Sequence, residues 1–243
     1  MAVYFCHEFP ELLEHEARVV DATPGRVLLD RSALHPGGGG QVSDTGWIEF
    51  GAGVVPVTGV EPVTAEAGDE QFWHLLGDES IEMSGPVFVR VDAERRSRVA
   101  QLHTDSHILN ALVYERFPGT LVTGAQINAD GTGRMDFDLA EVDNDVLRGL
   151  DTGINAIIGR GVDVRSVYID ASQAEAVAGL VRSLSVAPPP TPDGTLRVIE
   201  IDGVDRQACG GTHLSNTGQS GPVRITKVEN KGKRNRRIRF ELA

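Results

Sequence analysis

The chain has 243 residues, 40% of them hydrophobic and 5% aromatic, with a net charge of −12. That length and composition support a globular core without disulfide staples, in one large domain or two modest ones. No run approaches the roughly 20 apolar residues of a membrane span, so no membrane partner is expected, and the acidic balance argues against indiscriminate nucleic-acid binding.

The opening stretch, MAVYFCHEFPELLEHEARVV, meets acidic residues and Pro10 at once and reads as neither a secretory signal nor a transit peptide. Cys6 and Cys209 are 203 positions apart, which does not suggest a disulfide framework, and a reducing cytoplasm is the expected compartment. HEARVVDATPGRVLLDRSAL reads as a hairpin turning at TPG. GWIEF, VVPVTGV, FWHLL and PVFVRVD continue as short apolar or alternating runs punctuated by Gly and Pro. Together they predict a small antiparallel β-barrel or sandwich over residues 1–91. Cys6 and His7 fall in its expected first strand as packing and surface residues. His35 is expected in a surface turn, and His15 and His74 carry no motif.

LHPGGGGQVSDTG interrupts the strands. Gly37, Gly38, Gly39 and Gly40 permit unusual dihedrals and close backbone approach to a substrate or to a second domain. Gln41 can both donate and accept hydrogen bonds. The plain alternative is a flexible turn between two strands. No G-K-[ST] follows, so ATP hydrolysis is not expected.

At Asp92 the pattern becomes helical. Val99, Leu102, Ile108, Leu109, Leu112 and Val113 recur at helical spacing, with Asp92 as N-cap and Pro118-Gly119 as stop. TGAQINADGTGRMDFDL is β-like. Alternation puts Arg134, Asp136 and Asp138 on one face, opposite Met135, Phe137 and Leu139. Arg134 and Asp136 are candidates to orient a ligand or the substrate's α-amino group, with a solvent-facing polar strand as the alternative. Helical patterns follow near 141–160 and 171–184, with VDVRSVYID as a strand between them. APPPTPDGT is a loop, and LRVIEIDGVD a strand running into Cys209. The last stretch predicts a hairpin turning at about Asn230–Asn235. Residues 92–243 form the second domain, and the fold class is α+β.

Charge is unevenly spread. The segment from Arg224 onward carries +6 and the rest of the chain −18. Lys231, Lys233, Arg234, Arg236 and Arg237 are therefore candidates for a local phosphate contact, against the alternative of charges guarding an edge strand.

The helix from Asp92 carries HTDSH, in which His103 and His107, at i and i+4, project from one face. Cys209 and His213 share the later turn CGGTH, whose glycines let the backbone double back. Two such halves, using three of seven histidines and one of two cysteines, make a candidate zinc set of three imidazoles and a thiolate. The spacing excludes HExxH peptidases, because Thr104 follows the first His, and the H-x-E with P-C-x-x-C pattern of zinc deaminases is absent. Asp105, between the two helical histidines, either accepts a hydrogen bond near the site or is exposed.

HTDSH, GRMDFDL, DRQACGGTHLSNTGQSG and KGKRNRRIRFEL resemble the second additional domain shared by alanyl- and threonyl-tRNA synthetases. LHPGGGGQVSDTG is similar to the glycine motif of the domain before it. A chain of this length with both parts resembles the alanyl-tRNA editing (AlaX) family in its middle-length form, from about residue 15 onward. The resemblance implies a trans-editing esterase that removes a wrong amino acid, chiefly serine and with glycine as a further candidate, from alanine-specific tRNA. It also implies one Zn2+ per chain on His103, His107, Cys209 and His213. Ser32 stands where the family usually has Thr, Leu34 and His35 where it has aromatics, and Gln219 and Ser220 where it favours Glu-Ile. Ser32 and Gln41 are the candidates to reward a seryl hydroxyl. A four-ligand site is closed, whereas catalytic zinc keeps an open position. Either one ligand is loose, or the shell expands, or the ion mainly organises the pocket. Two other readings stand beside this one: a catalytically silent, zinc-stabilised tRNA-binding module, and an editing enzyme for another mischarged tRNA. The oligomeric state, monomer or dimer, stays open.

Overall fold

A computed structural model describes residues 4–51, 53–63, 71–140, 142–174, 177, 179–184, 191 and 193–243. The chain divides into two compact units, residues 1–38 with 42–96, and residues 39–41 with 97–243.

The first unit is a closed barrel. A short helix α1 (Phe5–Glu8) precedes β1 (Glu14–Thr23), β2 (Arg26–Leu29), β3 (Gly46–Phe50), β4 (Gly53–Pro62), β5 (Phe72–Leu76) and β6 (Gly85–Val91). The strands close in the order β1-β2-β5-β4-β3-β6, each antiparallel to its neighbours. The turn at Pro24-Gly25 joins Thr23 to its partner Arg26, and Gly25 takes φ 82°, as a tight turn after proline requires. Alternation fills the barrel: Val55, Val57 and Val60 from β4 and Val87, Val89 and Val91 from β6 point inward with Val27, Ile48 and Leu76. Burying such β-branched side chains contributes about 1.5–3 kcal/mol each. Cys6 and His7 lie in α1 rather than in a first strand, because FCHE closes a single helical turn, with the Phe9 N–H on the Phe5 carbonyl.

In the second unit, α2 (Ala93–Arg116) is followed by β7 (Val122–Ile127), β8 (Thr132–Asp138), α3 (Asn144–Arg148), α4 (Leu150–Arg160), β9 (Val164–Asp170) and α5 (Ala171–Ala174). Then come β10 (Thr195–Ile201), β11 (Asp205–Ala208), β12 (Val223–Asn230) and β13 (Asn235–Leu242). One sheet has the order β12-β13-β8-β7 and the other β11-β10-β9. Asp92 caps α2 by accepting from the Arg95 N–H at 3.0 Å. Residues 102–111 of α2 are buried on every face, so a polar stretch of helix sits in the interior.

Two expectations about elements are corrected. LRVIEIDGVD is not one strand but β10 and the start of β11, reversed at Gly203 with φ 65°. Of the helical pattern at 171–184, only Ala171–Ala174 is helix among the described residues. The chain beyond takes Gly179 to φ 78°, and Arg182 and Leu184 exchange backbone bonds with Val122 instead. The proline run at 188–190 lies outside the described residues. Among the described residues, no helix is long and apolar enough to cross a membrane.

Candidate metal centre

In the second unit, α2 presents His103 and His107 from successive turns, and the chain leaving β11 presents Cys209 and His213. The four ligand atoms lie within 4.8 Å of one another. Cys209 Sγ is 3.4 Å from His103 Nε2 and 3.3 Å from His213 Nε2. Each imidazole is held from outside by its other nitrogen. His103 Nδ1 is 2.7 Å from Gln41 Oε1, His107 Nδ1 is 3.1 Å from Asp205 Oδ2, and His213 Nδ1 is 3.3 Å from Thr104 Oγ1. Gln41 Oε1 and the Asp205 carboxylate can only accept, so Nδ1 of His103 and of His107 carries a hydrogen and Nε2 is turned inward. That is the orientation a metal ligand needs.

The turn is built for this convergence. Buried Arg197 donates to the carbonyls of Cys209 and Gly211, both at 2.9 Å. The Gly211 N–H points at Cys209 Sγ, 3.4 Å away. A Cβ on Gly211 would stand 2.0 Å from His103 Cε1, so only glycine allows the turn to close over that ring. Burial opposes a Cys209 thiolate, but the three imidazoles outweigh it and hold the thiol well below its usual range. For His107, burial disfavours the cation, yet the Cys209 thiolate and Asp205 more than offset it and raise the ring's proton affinity. Burial lowers His213, and the neighbouring His103 adds to that. A set of mutually buried imidazoles around a thiolate can hold a metal ion.

The glycine stretch has a definite course. All four of Gly37–Gly40 take positive φ, from 63° to 101°. Gly37 and Gly38 belong to the barrel unit, and Gly39 and Gly40 to the second. The Gly40 carbonyl accepts the Ile127 N–H at 2.7 Å, and a Cβ on Gly40 would meet the Ala125 carbonyl at 2.7 Å. This close docking on β7 delivers Gln41, whose Oε1 also takes the Thr212 N–H at 2.9 Å. Gln41 thus orients a candidate ligand and its turn together.

The other sequence candidates have partners of their own. Ser32 belongs to the barrel unit, where its hydroxyl lies 2.8 Å from His74 Nε2 and accepts the Leu34 N–H at 3.1 Å. Asp136 is clasped by Arg134 at 2.7 Å and by two nitrogens of Arg237 at 2.7 and 2.8 Å. Neither Arg134 nor Asp136 lines the cavity beside the metal cluster; strand alternation gives that face to Met135. Arg236 is buried and donates to the carbonyls of Gly232 and Asn235. Arg234 pairs with Asp138 at 3.0 Å, whereas Lys231 and Lys233 are exposed and make no ion pair among the described residues. Asp105 is fully buried rather than exposed; burial pushes it up to about 7, against a 2.8 Å bond from Ser220.

His35 is 1% exposed, not a surface turn residue, because its N–H is tied to buried Asp44 at 2.7 Å. It gathers with Cys6 and His7, their ligand atoms within 4.8 Å. There, however, Nδ1 of His35 accepts the Gly37 N–H at 3.0 Å, which puts the ring hydrogen on Nε2, the reverse of the other cluster. Sequence reasoning missed Asp205, Gln207, Thr104 and Asn110. The available signals were alternation of 205, 207 and 209 along β11 and the i, i+4, i+7 spacing of 103, 107 and 110 along α2.

Residues 196–239 match the family described as the second additional domain of threonyl and alanyl tRNA synthetase. Over 231 residues the chain is 34% identical to alanyl-tRNA editing protein AlaX-M of Saccharolobus solfataricus, covering 94% of each chain. It is 35% identical over 251 residues to AlaX-M of Methanosarcina mazei, covering 99% of this chain and 96% of the relative. It is also 34% identical over 226 residues to alanine–tRNA ligase of Korarchaeum cryptofilum, there covering 91% of this chain and 24% of the ligase.

Proposed function

Because the chain belongs to the alanyl-tRNA editing protein AlaX-M family, we propose that it is a zinc-dependent deacylase releasing serine from mischarged alanine-specific tRNA. The observation that carries the reading is the inward convergence of three Nε2 atoms and Cys209 Sγ, each imidazole held from behind by Gln41, Asp205 or Thr104. Tetrahedral zinc, with bonds of about 2.0–2.1 Å to nitrogen and 2.3 Å to sulfur, sets nitrogen and sulfur about 3.6 Å apart. The 3.3 and 3.4 Å separations fit that ion with little movement. His103, His107, Cys209 and His213 would hold it, and when bound it supplies positive charge to polarise an ester carbonyl or anchor the aminoacyl group.

The chain's own residues then do the positioning. An aminoacyl ester is already prone to hydrolysis, so orientation and a fixed electrostatic field supply most of what catalysis needs. Gln41 keeps His103 in one tautomer, and Arg197 fixes the carbonyls of the CGGTH turn. A cavity of about 60 Å³ beside the cluster, lined by Gly39, Ser106, Asn110, Ala125 and Met135 among others, has room for a side chain of a few atoms. The Arg134–Asp136–Arg237 clasp serves the sheet rather than the reaction. For the tRNA, Lys231 and Lys233, with Arg234 beside them, offer exposed cations to backbone phosphates.

The test is release of labelled serine from seryl-tRNA of the alanine isoacceptor, with alanyl-tRNA alongside. Fast loss of serine with alanine retained is expected, and Cys209→Ala should reduce bound zinc from one ion per chain and abolish release. Full activity in a zinc-free Cys209→Ala protein would sink the zinc mechanism. Retained serine with tRNA still bound would make the chain a silent binder.

A further inference from the structure

We propose that Asn110 is the residue that reads the seryl side chain, its Oδ1 accepting the hydroxyl hydrogen inside the cavity beside the metal cluster. The inference rests on the editing reading above and adds to it the group that distinguishes serine from alanine and glycine.

Asn110 follows His103 and His107 on the same face of α2, at i+7 and i+3, and lines the same cavity. It is 5% exposed, and its Oδ1 is a buried acceptor with no hydrogen-bond partner among the described residues. The other cavity-lining atom in that condition, Nη1 of Arg182, faces Asp205 Oδ1 at 3.1 Å in an ion pair. Leaving an amide oxygen buried and unmatched is costly, so such an atom marks a place where a donor arrives.

The orientation of the amide is dictated by a chain of partners. The Asp205 carboxylate can only accept, and it takes the Gln207 Nε2 hydrogen at 2.5 Å. Gln207 Oε1 is therefore turned toward Asn110 and takes its Nδ2 hydrogen at 2.7 Å. The oxygen of Asn110 is what remains. Asp205 also holds His107, so one carboxylate orients a candidate metal ligand and the reading atom together. An acceptor in this place rewards a hydroxyl and gains nothing from a methyl or a hydrogen. A site built to bond a hydroxyl rejects the analogue lacking it far more strongly than one that merely has room for it. Ser106, the polar neighbour, already sends its hydroxyl hydrogen to the His103 carbonyl at 2.7 Å.

The experiment compares deacylation of seryl-, glycyl- and alanyl-tRNA of the alanine isoacceptor by wild type, Asn110→Leu, Asn110→Ala and Gln207→Leu. Bound zinc and the melting temperature are measured for each protein. Wild type should release serine fastest. In both Asn110 variants serine release should fall about 10- to 100-fold, to the glycyl rate, with glycine release within about threefold of wild type. Gln207→Leu frees the amide to turn and should lower the serine-to-glycine ratio with Asn110 still present. Equal losses on all three substrates would move Asn110 to the shared α-amino group or to a structural role and overturn the assignment. An unchanged serine-to-glycine ratio in a folded, zinc-loaded Asn110 variant would overturn it too. If wild type itself spares seryl-tRNA, the editing reading fails first and the inference falls with it.

Discussion

His74 sits between two bonds that no motif announces. Its Nδ1 lies 3.3 Å from the Val27 carbonyl and its Nε2 takes the Ser32 hydroxyl, while nearby His15 accepts the Ala33 N–H on its own Nε2. A second hydrogen on His15 would face the Ala33 N–H, and burial disfavours charge on both rings. Burial lowers His74 to about 4, against the opposing bond to Val27, and burial lowers His15 as well. A histidine depressed in the folded state contributes stability that is fully present above the unfolded value of 6.5 and is lost as pH falls toward 4. For His74 the loss is about 3 kcal/mol across that window. His74→Gln removes the titration. Urea unfolding of the full chain should find the variant weaker at pH 7 but losing about 3 kcal/mol less than wild type between pH 7 and 4. Parallel losses in the two proteins would show that the ring is not held neutral. HEARVVDATPG predicts the hairpin that carries His15 and Val27, but His74 comes from β5, and a lone histidine in a strand has no sequence signature of its partners.

At the scale of elements, each half of the candidate metal site is local and readable, and the join between them is not. The i, i+4 histidines need only a helix, and CGGTH needs only a turn tight enough to require glycine. The tightness of that turn is set by what it meets: a Cβ on Gly211 would stand 2.0 Å from His103 Cε1. Gly211→Ala is therefore expected to displace the ring or the turn and to lose most of the bound zinc, measured by metal analysis of the purified protein. Gly210→Ala is the control for an added methyl in the same turn, and equal zinc retention in both variants would contradict the close approach. The glycine stretch teaches the same lesson. Four consecutive glycines announce unusual backbone, but only the docking of Gly40 against β7 shows that the product of the turn is the placement of Gln41. Helix propensity misleads at 171–184 for a related reason: the strand edge at Val122 takes the backbone of Arg182 and Leu184, and tertiary pairing overrides local preference.

For the whole molecule, charge is the property that sequence states most directly and structure revises most. The terminal segment is +6 by count, but Arg224, Lys227, Arg234, Arg237 and Arg239 all pair with carboxylates of their own unit, and Arg236 is buried. Among the described residues, the exposed cations of that segment without such pairs are Lys231 and Lys233 at the hairpin tip. If these two carry phosphate contacts, Lys231→Gln with Lys233→Gln should weaken tRNA binding and reduce the slope of log affinity against log salt by about 1.5–2. An unchanged slope would move the contact elsewhere on the chain. Composition, period and spacing by themselves determined the barrel's strands, the long helix and the four metal-ligand candidates, because these follow from local stereochemistry and from residue types few sites need together, and the resemblance of the motifs gave the family. Only the tertiary structure decided which polar groups are spent on one another and which are left over. Ser32 is engaged by His74, Asp136 by two arginines and Gln41 by His103, while Asn110 keeps an oxygen unmatched among the described residues. Hydrogen-bond partners are chosen by proximity in the folded chain, between residues as far apart as Gln41 and Thr212, and burial then sets the cost of any that remain unpaired.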